Sequence, residues 1–201
     1  MPPAQTNLQA AAAKAVEDLR GQSVEQLAWL GAAPAGEAVH LRVLDELLQV
    51  DLGEGLVRTG RGDDVRPEWR ILVLHYLAVR VQPAACPPEI TFAHLPDGLV
   101  YARNYEGRVI RRLCATAGRD EASLRAAAAA LNARPAAGGT VAFDLDVFPR
   151  VSVRLVWHAG DDELPPSASV LLPRNVESLL CVEDIVVLSE QLVSRLCGKP
   201  F

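Results

Sequence analysis

The sequence is poor in lysine, in paired cysteines and in long apolar runs, and each shortage excludes something. Of 20 basic residues only Lys14 and Lys199 are lysines, and the rest are arginines. That bias fits a GC-rich genome better than bidentate anion recognition. The best basic cluster, Arg103, Arg108, Arg111 and Arg112, is diluted by Glu106, Asp120 and Glu121, so no phosphate-neutralising footprint forms and nucleic acid is not an expected partner. No stretch approaches the roughly 18 continuous apolar residues of a membrane helix. The start, Met1-Pro2-Pro3-Ala4-Gln5-Thr6-Asn7, lacks the charged and apolar regions of a signal peptide, which makes the expected location cytoplasmic, away from membranes.

The four cysteines, Cys86, Cys114, Cys181 and Cys197, contain no Cys-x-x-Cys pair, so neither a zinc nor an iron-sulfur site is expected and free thiols are the reading. If Cys181 and Cys197 bracket a helix they stand about 24 Å apart, too far for a disulfide. Gly53, Gly55, Gly60 and Gly62 form no Walker or dinucleotide loop, and no G-x-S-x-G elbow is present. The sequence therefore specifies no cofactor.

What is there is an ordinary globular composition: 201 residues, 50% apolar and 22% charged, with a net charge of -5. Residues 135–201 carry 5 basic and 9 acidic groups, which makes the C-terminal third the acidic part. One domain over 1–201 is expected, with a helical region over 1–36 and an α+β body over 37–201.

Periodicity supplies the elements. Residues 7–20 carry Leu8, Ala11, Ala12, Ala15, Val16 and Leu19 on one stripe before Gly21, and Ser23 with Gln26 has the form of a capping box. Residues 32–36 read as a loop. Val39, Leu41 and Val43 alternate with polar neighbours, as do Leu48 and Val50 beyond a turn near Asp45; a short third strand fits 56–58. Pro67 opens a helix expected over 67–81, apolar nearly all round and hence central and buried. A strand at 90–92, helices over 105–117 and 121–133, and strands at 141–148, 151–157 and 170–172 follow, with a last helix over 182–197. Strands and helices come in blocks, which favours α+β with mainly antiparallel sheets.

Three groups of residues could carry chemistry. His75 is the one basic side chain between Arg70 and Arg80 on the buried helix, where it suits a base or a ligand, or else a core histidine bonded to backbone or to a buried carboxylate. Asp161, Asp162 and Glu163 follow Trp157 and His158; they could hold a hard cation, though they lack calcium-loop spacing and fit a solvated acidic hairpin turn better. Arg108, Arg111 and Arg112, near Tyr101, Arg103 and Tyr105, could bind an anion or simply form a solvated helix face. No residues present metal-ligand spacing.

Leu74-His75-Tyr76-Leu77, Ile90-Thr91-Phe92 with Tyr101 after Pro96-Asp97-Gly98, and Val156-Trp157 ahead of Gly160-Asp161-Asp162-Glu163-Leu164-Pro165-Pro166 together resemble a bacterial and archaeal family known only as a domain of unknown function. The resemblance runs from residue 67 to about 196 and includes Leu171-Leu172 and Glu183-Asp184. It implies no activity and no catalytic residue. Some members carry a cysteine-rich iron-sulfur segment that this sequence lacks. If His75, Tyr76, Trp157 and residues 161–163 are family features, their convergence would make one ligand pocket, with Tyr101 a further ligand-binding candidate. The leading expectation is a non-catalytic accessory domain that binds a protein partner or a small molecule in a pocket or groove between the central helix and the C-terminal sheet. The alternative is a metal-assisted hydrolase or lyase using His75 or His158 with Asp161, Asp162 or Glu163. A homodimer is compatible with either.

Overall fold

The computed structural model describes residues 3–201, with side chains from Ala10 onward; Met1, Pro2 and the side chain of Leu8 lie outside the described residues. The period of two becomes an antiparallel pair, β2 (Ala38–Val43) and β3 (Glu46–Asp51), which buries Val39, Leu41, Val43, Leu48 and Val50. With β1 (Ala33–Ala35) and β4 (Val57–Arg58) they form a sheet in the order β1-β2-β3-β4. The loop expected over 32–36 is thus an edge strand: Gly36, at φ +68°, reverses the chain and lets Pro34 pair with Val39. An edge tolerates the proline because its outer side needs no donor.

A second antiparallel sheet has the order β5-β9-β8-β7-β6, built from β5 (Pro88–Thr91), β6 (Arg134–Ala136), β7 (Val141–Phe148), β8 (Val151–His158) and β9 (Ser167–Pro173). The alternation of β8 places Val151, Val153, Leu155 and Trp157 in the core. The fold is α+β, as composition and block order imply. β6 and the first three residues of β9 extend beyond the expected strands, because pairing recruits sequence with no alternation of its own.

Helix α1 (Pro3–Leu19) and α2 (Val24–Trp29) precede the first sheet. Ser23 Oγ accepts from the Gln26 backbone N–H at 3.1 Å, one half of the capping box. The Gln26 side chain donates instead to the carbonyls of Val79 and Val81, while that of Gln22 donates to Leu77 and Val79. These amides end α3 (Pro67–Leu77) four residues before the expected stop, because they hold residues 78–81 in a non-helical path. α3 is buried on nearly every side, and Tyr76 joins it to the second sheet by stacking on Phe148 at 4.4 Å.

The helix expected over 105–117 begins earlier. α4 (Gly98–Tyr105), a π turn at Glu106–Ile110 and α5 (Arg111–Ala115) run on from one another. Asp97 takes φ +59°, and a Cβ on Gly98 would sit 2.0 Å from the Phe92 carbonyl, so this turn requires the glycine. α6 (Glu121–Ala130) is capped by Asp120, whose Oδ1 accepts from the Ser123 N–H, and α7 (Val182–Leu196) lays its apolar stripe on the core. Among the described residues no helix is long and apolar enough to cross a membrane.

Candidate functional site

The residues singled out from sequence separate into three places. Tyr76 is fully buried: its hydroxyl donates to the Leu30 carbonyl (2.8 Å) and accepts from the Arg150 N–H (3.2 Å), and burial pushes its pKa up. Trp157 is equally buried, with Nε1 donating to the Gly118 carbonyl at 2.8 Å. Both side chains have every polar atom matched inside the fold. Neither is exposed to a ligand.

His75 has a carboxylate partner, and it is Asp184 in the first turn of α7. Nδ1 lies 2.9 and 3.0 Å from the two carboxylate oxygens. The hydrogen bond to Asp184 raises the His75 pKa; desolvation opposes it, and the charges of Asp184 and Asp18 add to it. The pair joins α3 to α7, and the Asp184 backbone N–H is directed at Cys181 Sγ, the cap of that helix. The expectation that His75 and the acidic turn share one pocket is not realised.

Asp161 belongs instead to the β8–β9 hairpin. Its Oδ1 accepts from the N–H groups of Glu163 and Leu164 at 2.9 and 2.8 Å, and these bonds hold its pKa below the usual carboxylate range. Gly160 permits the turn, since a Cβ there would meet the Leu164 carbonyl at 2.5 Å. Asp162 and Glu163 are exposed beside it.

This hairpin forms one wall of a groove of about 950 Å³, and the π turn with α5 forms the other. Ile110, Cys114, Leu164 and Ala168 give it an apolar lining; Glu106, Arg111, His158 and Asp161 supply the polar groups. A smaller cavity of about 210 Å³, lined by Phe92, Tyr105 and Val170, continues it and shares Glu106, Ile110 and Ala168. The groove thus unites His158 and Asp161 but not His75, Tyr76 or Trp157. Tyr101, half exposed, stands with Leu99 and Val100 on the outer surface of α4 and lines neither cavity.

The three arginines of this helix divide sharply. Arg108 pairs with Glu190, and Arg112 donates to Ser194 Oγ at 2.8 Å. Among the described residues Arg111 makes no ion pair or side-chain hydrogen bond, and it lines the groove. A π turn widens the helix by one residue, a distortion frequent at binding sites. Here the turn contains Arg108, which reaches α7, and Arg111, which lines the groove, follows directly after it. Cys114 is no activated nucleophile: burial raises its pKa, and the charge of Glu106 adds to that. Among the described residues no three His, Cys, Asp or Glu side chains converge to hold a metal ion.

Glu106, Ile110, Cys114 and the open flank of β9 were missed in the sequence because the π turn leaves no periodic mark. Asp184 was visible only in the Glu183-Asp184 part of the resemblance; its partner lies 109 positions away.

The fold and groove define an α+β domain with a ligand-sized cleft between a helix and a strand edge. A family model described as Domain of unknown function (DUF3786) matches residues 25–195, and the chain belongs to that family. No curated protein and no solved structure matches it.

Proposed function

We propose that this chain is a cytoplasmic, non-catalytic binding module whose site is the groove between the π turn with α5 and the β8–β9 hairpin. One observation carries the reading: the groove combines an apolar lining with Arg111, a cation that has no partner among the described residues. Sites for small molecules and peptide side chains have this composition, a mainly apolar surface with a few polar groups that fix orientation.

The enzymatic alternative draws less support. It joined His75 or His158 to the 161–163 acids; His75 is bonded to Asp184 instead, and although His158 and Asp161 share the groove, the Asp161 Oδ1 is taken up by the N–H groups of its own turn. The metal-assisted version needs converging ligands, and the described residues bring no such set together. The partner on this reading is a protein segment or a small molecule rather than nucleic acid or membrane.

Amide-shift mapping by NMR tests it. A panel of small molecules and short peptides is expected to perturb residues 106–115 and 158–168, and Leu164→Asp, on a side chain 67% exposed, is expected to remove those shifts without unfolding the chain. Ligands that instead perturb His75 and Asp184, with binding lost in His75→Ala, would overturn the reading.

A further inference from the structure

The groove floor includes an unfinished strand edge. β9 has β8 along one side from Ser167 to Leu171, but on the other side β5 pairs only with Leu171, Leu172 and Pro173. After Thr91 the chain leaves the sheet for the short helical turn Phe92–His94. Nothing in the sheet continues alongside residues 167–170.

The direction of the backbone groups on that stretch follows from alternation. The Thr140 N–H donates to the Trp157 carbonyl at 2.8 Å, which turns the polar groups of Trp157 toward β7. In an antiparallel ladder successive residues face opposite neighbours, so Val156 and His158 face β9, where they stand opposite Ser169 and Ser167. Ser167, Ser169 and Leu171 therefore face back to β8, and the half-buried Ala168 and buried Val170 direct N–H and C=O groups away from it, toward the cavity. Pro173 agrees: the donor it lacks would point to β8, and the β8 ladder stops at Leu171. Among the described residues no loop or side chain bonds the backbone of Ala168 or Val170. Both residues line the cavity, facing helix α4 and the π turn across it.

We propose that the natural occupant is an extended peptide that adds to the second sheet as a strand on this edge, filling the line that β5 abandons after Thr91. This rests on the groove being the binding site, and it names the class of ligand. Two outward N–H and two outward C=O groups are a template for main chain, and a small molecule has no reason to match their spacing. A strand about 4.8 Å from β9 meets Phe92, Tyr105 and Ile110 with alternate side chains, so one of those side chains is aliphatic.

Charge sets polarity and specificity. A peptide antiparallel to β9, as β5 is, begins beside Phe92 and ends toward Ser167, where Arg111 and His158 lie. An acidic group near its C-terminal end pairs with the unengaged Arg111. Glu106, which lines both compartments and makes no ion pair among the described residues, repels an acid placed earlier in the peptide.

Selection of random eight-residue displayed peptides on the intact protein tests this. Selected sequences are expected to carry an aliphatic residue followed by an acidic one toward the C-terminus. Arg111→Glu should weaken a selected peptide about tenfold or more, with recovery when its acid is replaced by lysine. N-methylation at alternate amides of that peptide should abolish binding, whereas methylation at the intervening amides should not. Equal effects at all amides would overturn strand addition. If small molecules shift the groove resonances and no peptide is selected, the peptide inference fails while the groove remains a binding site. Concentration-dependent self-association mapped to Ala168 and Val170 would make a second copy the occupant and overturn it as well.

Discussion

The junction of α3 with α7 and the groove beside α5 contain similar residue types and use them in opposite ways. At the junction a histidine and a carboxylate bond each other directly, and the adjacent Tyr76 hydroxyl both donates and accepts. At the groove an arginine and the outer edge of β9 have no partner among the described residues. Matched polar groups in a core hold elements together; unmatched ones facing an apolar cleft are capacity for a ligand. The most conspicuous residue of the sequence, His75, accordingly joins two helices of the scaffold, and less conspicuous ones line the proposed site.

Substitution breaks this contrast most sharply at Tyr76. Tyr76→Ala removes a stacked, fully buried ring and leaves the Arg150 N–H without its acceptor, and denaturant melts should register a loss of about 3–5 kcal/mol. Asp184→Asn comes next: it keeps the shape but weakens a charge-assisted bond, with an expected loss of about 1.5–3 kcal/mol at pH 6.

That loss should shrink as pH rises. The folded pKa of His75 lies above its unfolded value of 6.5, so the pair's stabilisation is complete below that value and disappears as pH climbs through the raised folded value. Melts of the wild type and Asp184→Asn from pH 5.5 to 9 are expected to converge at the alkaline end; a gap that widens there would reverse the sign assigned to His75. The smallest effects on stability belong to the groove. Arg111→Glu and Leu164→Asp, both on exposed side chains, should stay within about 0.5 kcal/mol of wild type while removing ligand binding.

Much of the scaffold was legible because its period is local. The alternation of 151–157, the Ser23 cap and the Pro67 helix start each need only a few neighbouring residues, and each is realised. Boundaries moved where distant groups intervene. The amides of Gln22 and Gln26 end α3, and pairing with β8 draws Ser167 to Ser169 into β9. The groove was hardest to read, since Arg111 differs from Arg108 and Arg112 only in what lies opposite: Glu190 and Ser194 engage its neighbours from a helix about 80 positions on. Asp161 was recognised for its charge, whereas its role is a turn that shapes the wall.

The open edge itself is measured most directly by residue-resolved amide hydrogen exchange on the ligand-free protein. Ser169 and Leu171, bonded to β8, should exchange slowly, and Ala168 and Val170 between them about a hundredfold or more faster. Uniform protection across 168–171 would mean the edge is already occupied within the fold and would contradict the assignment of the groove as a strand-accepting site.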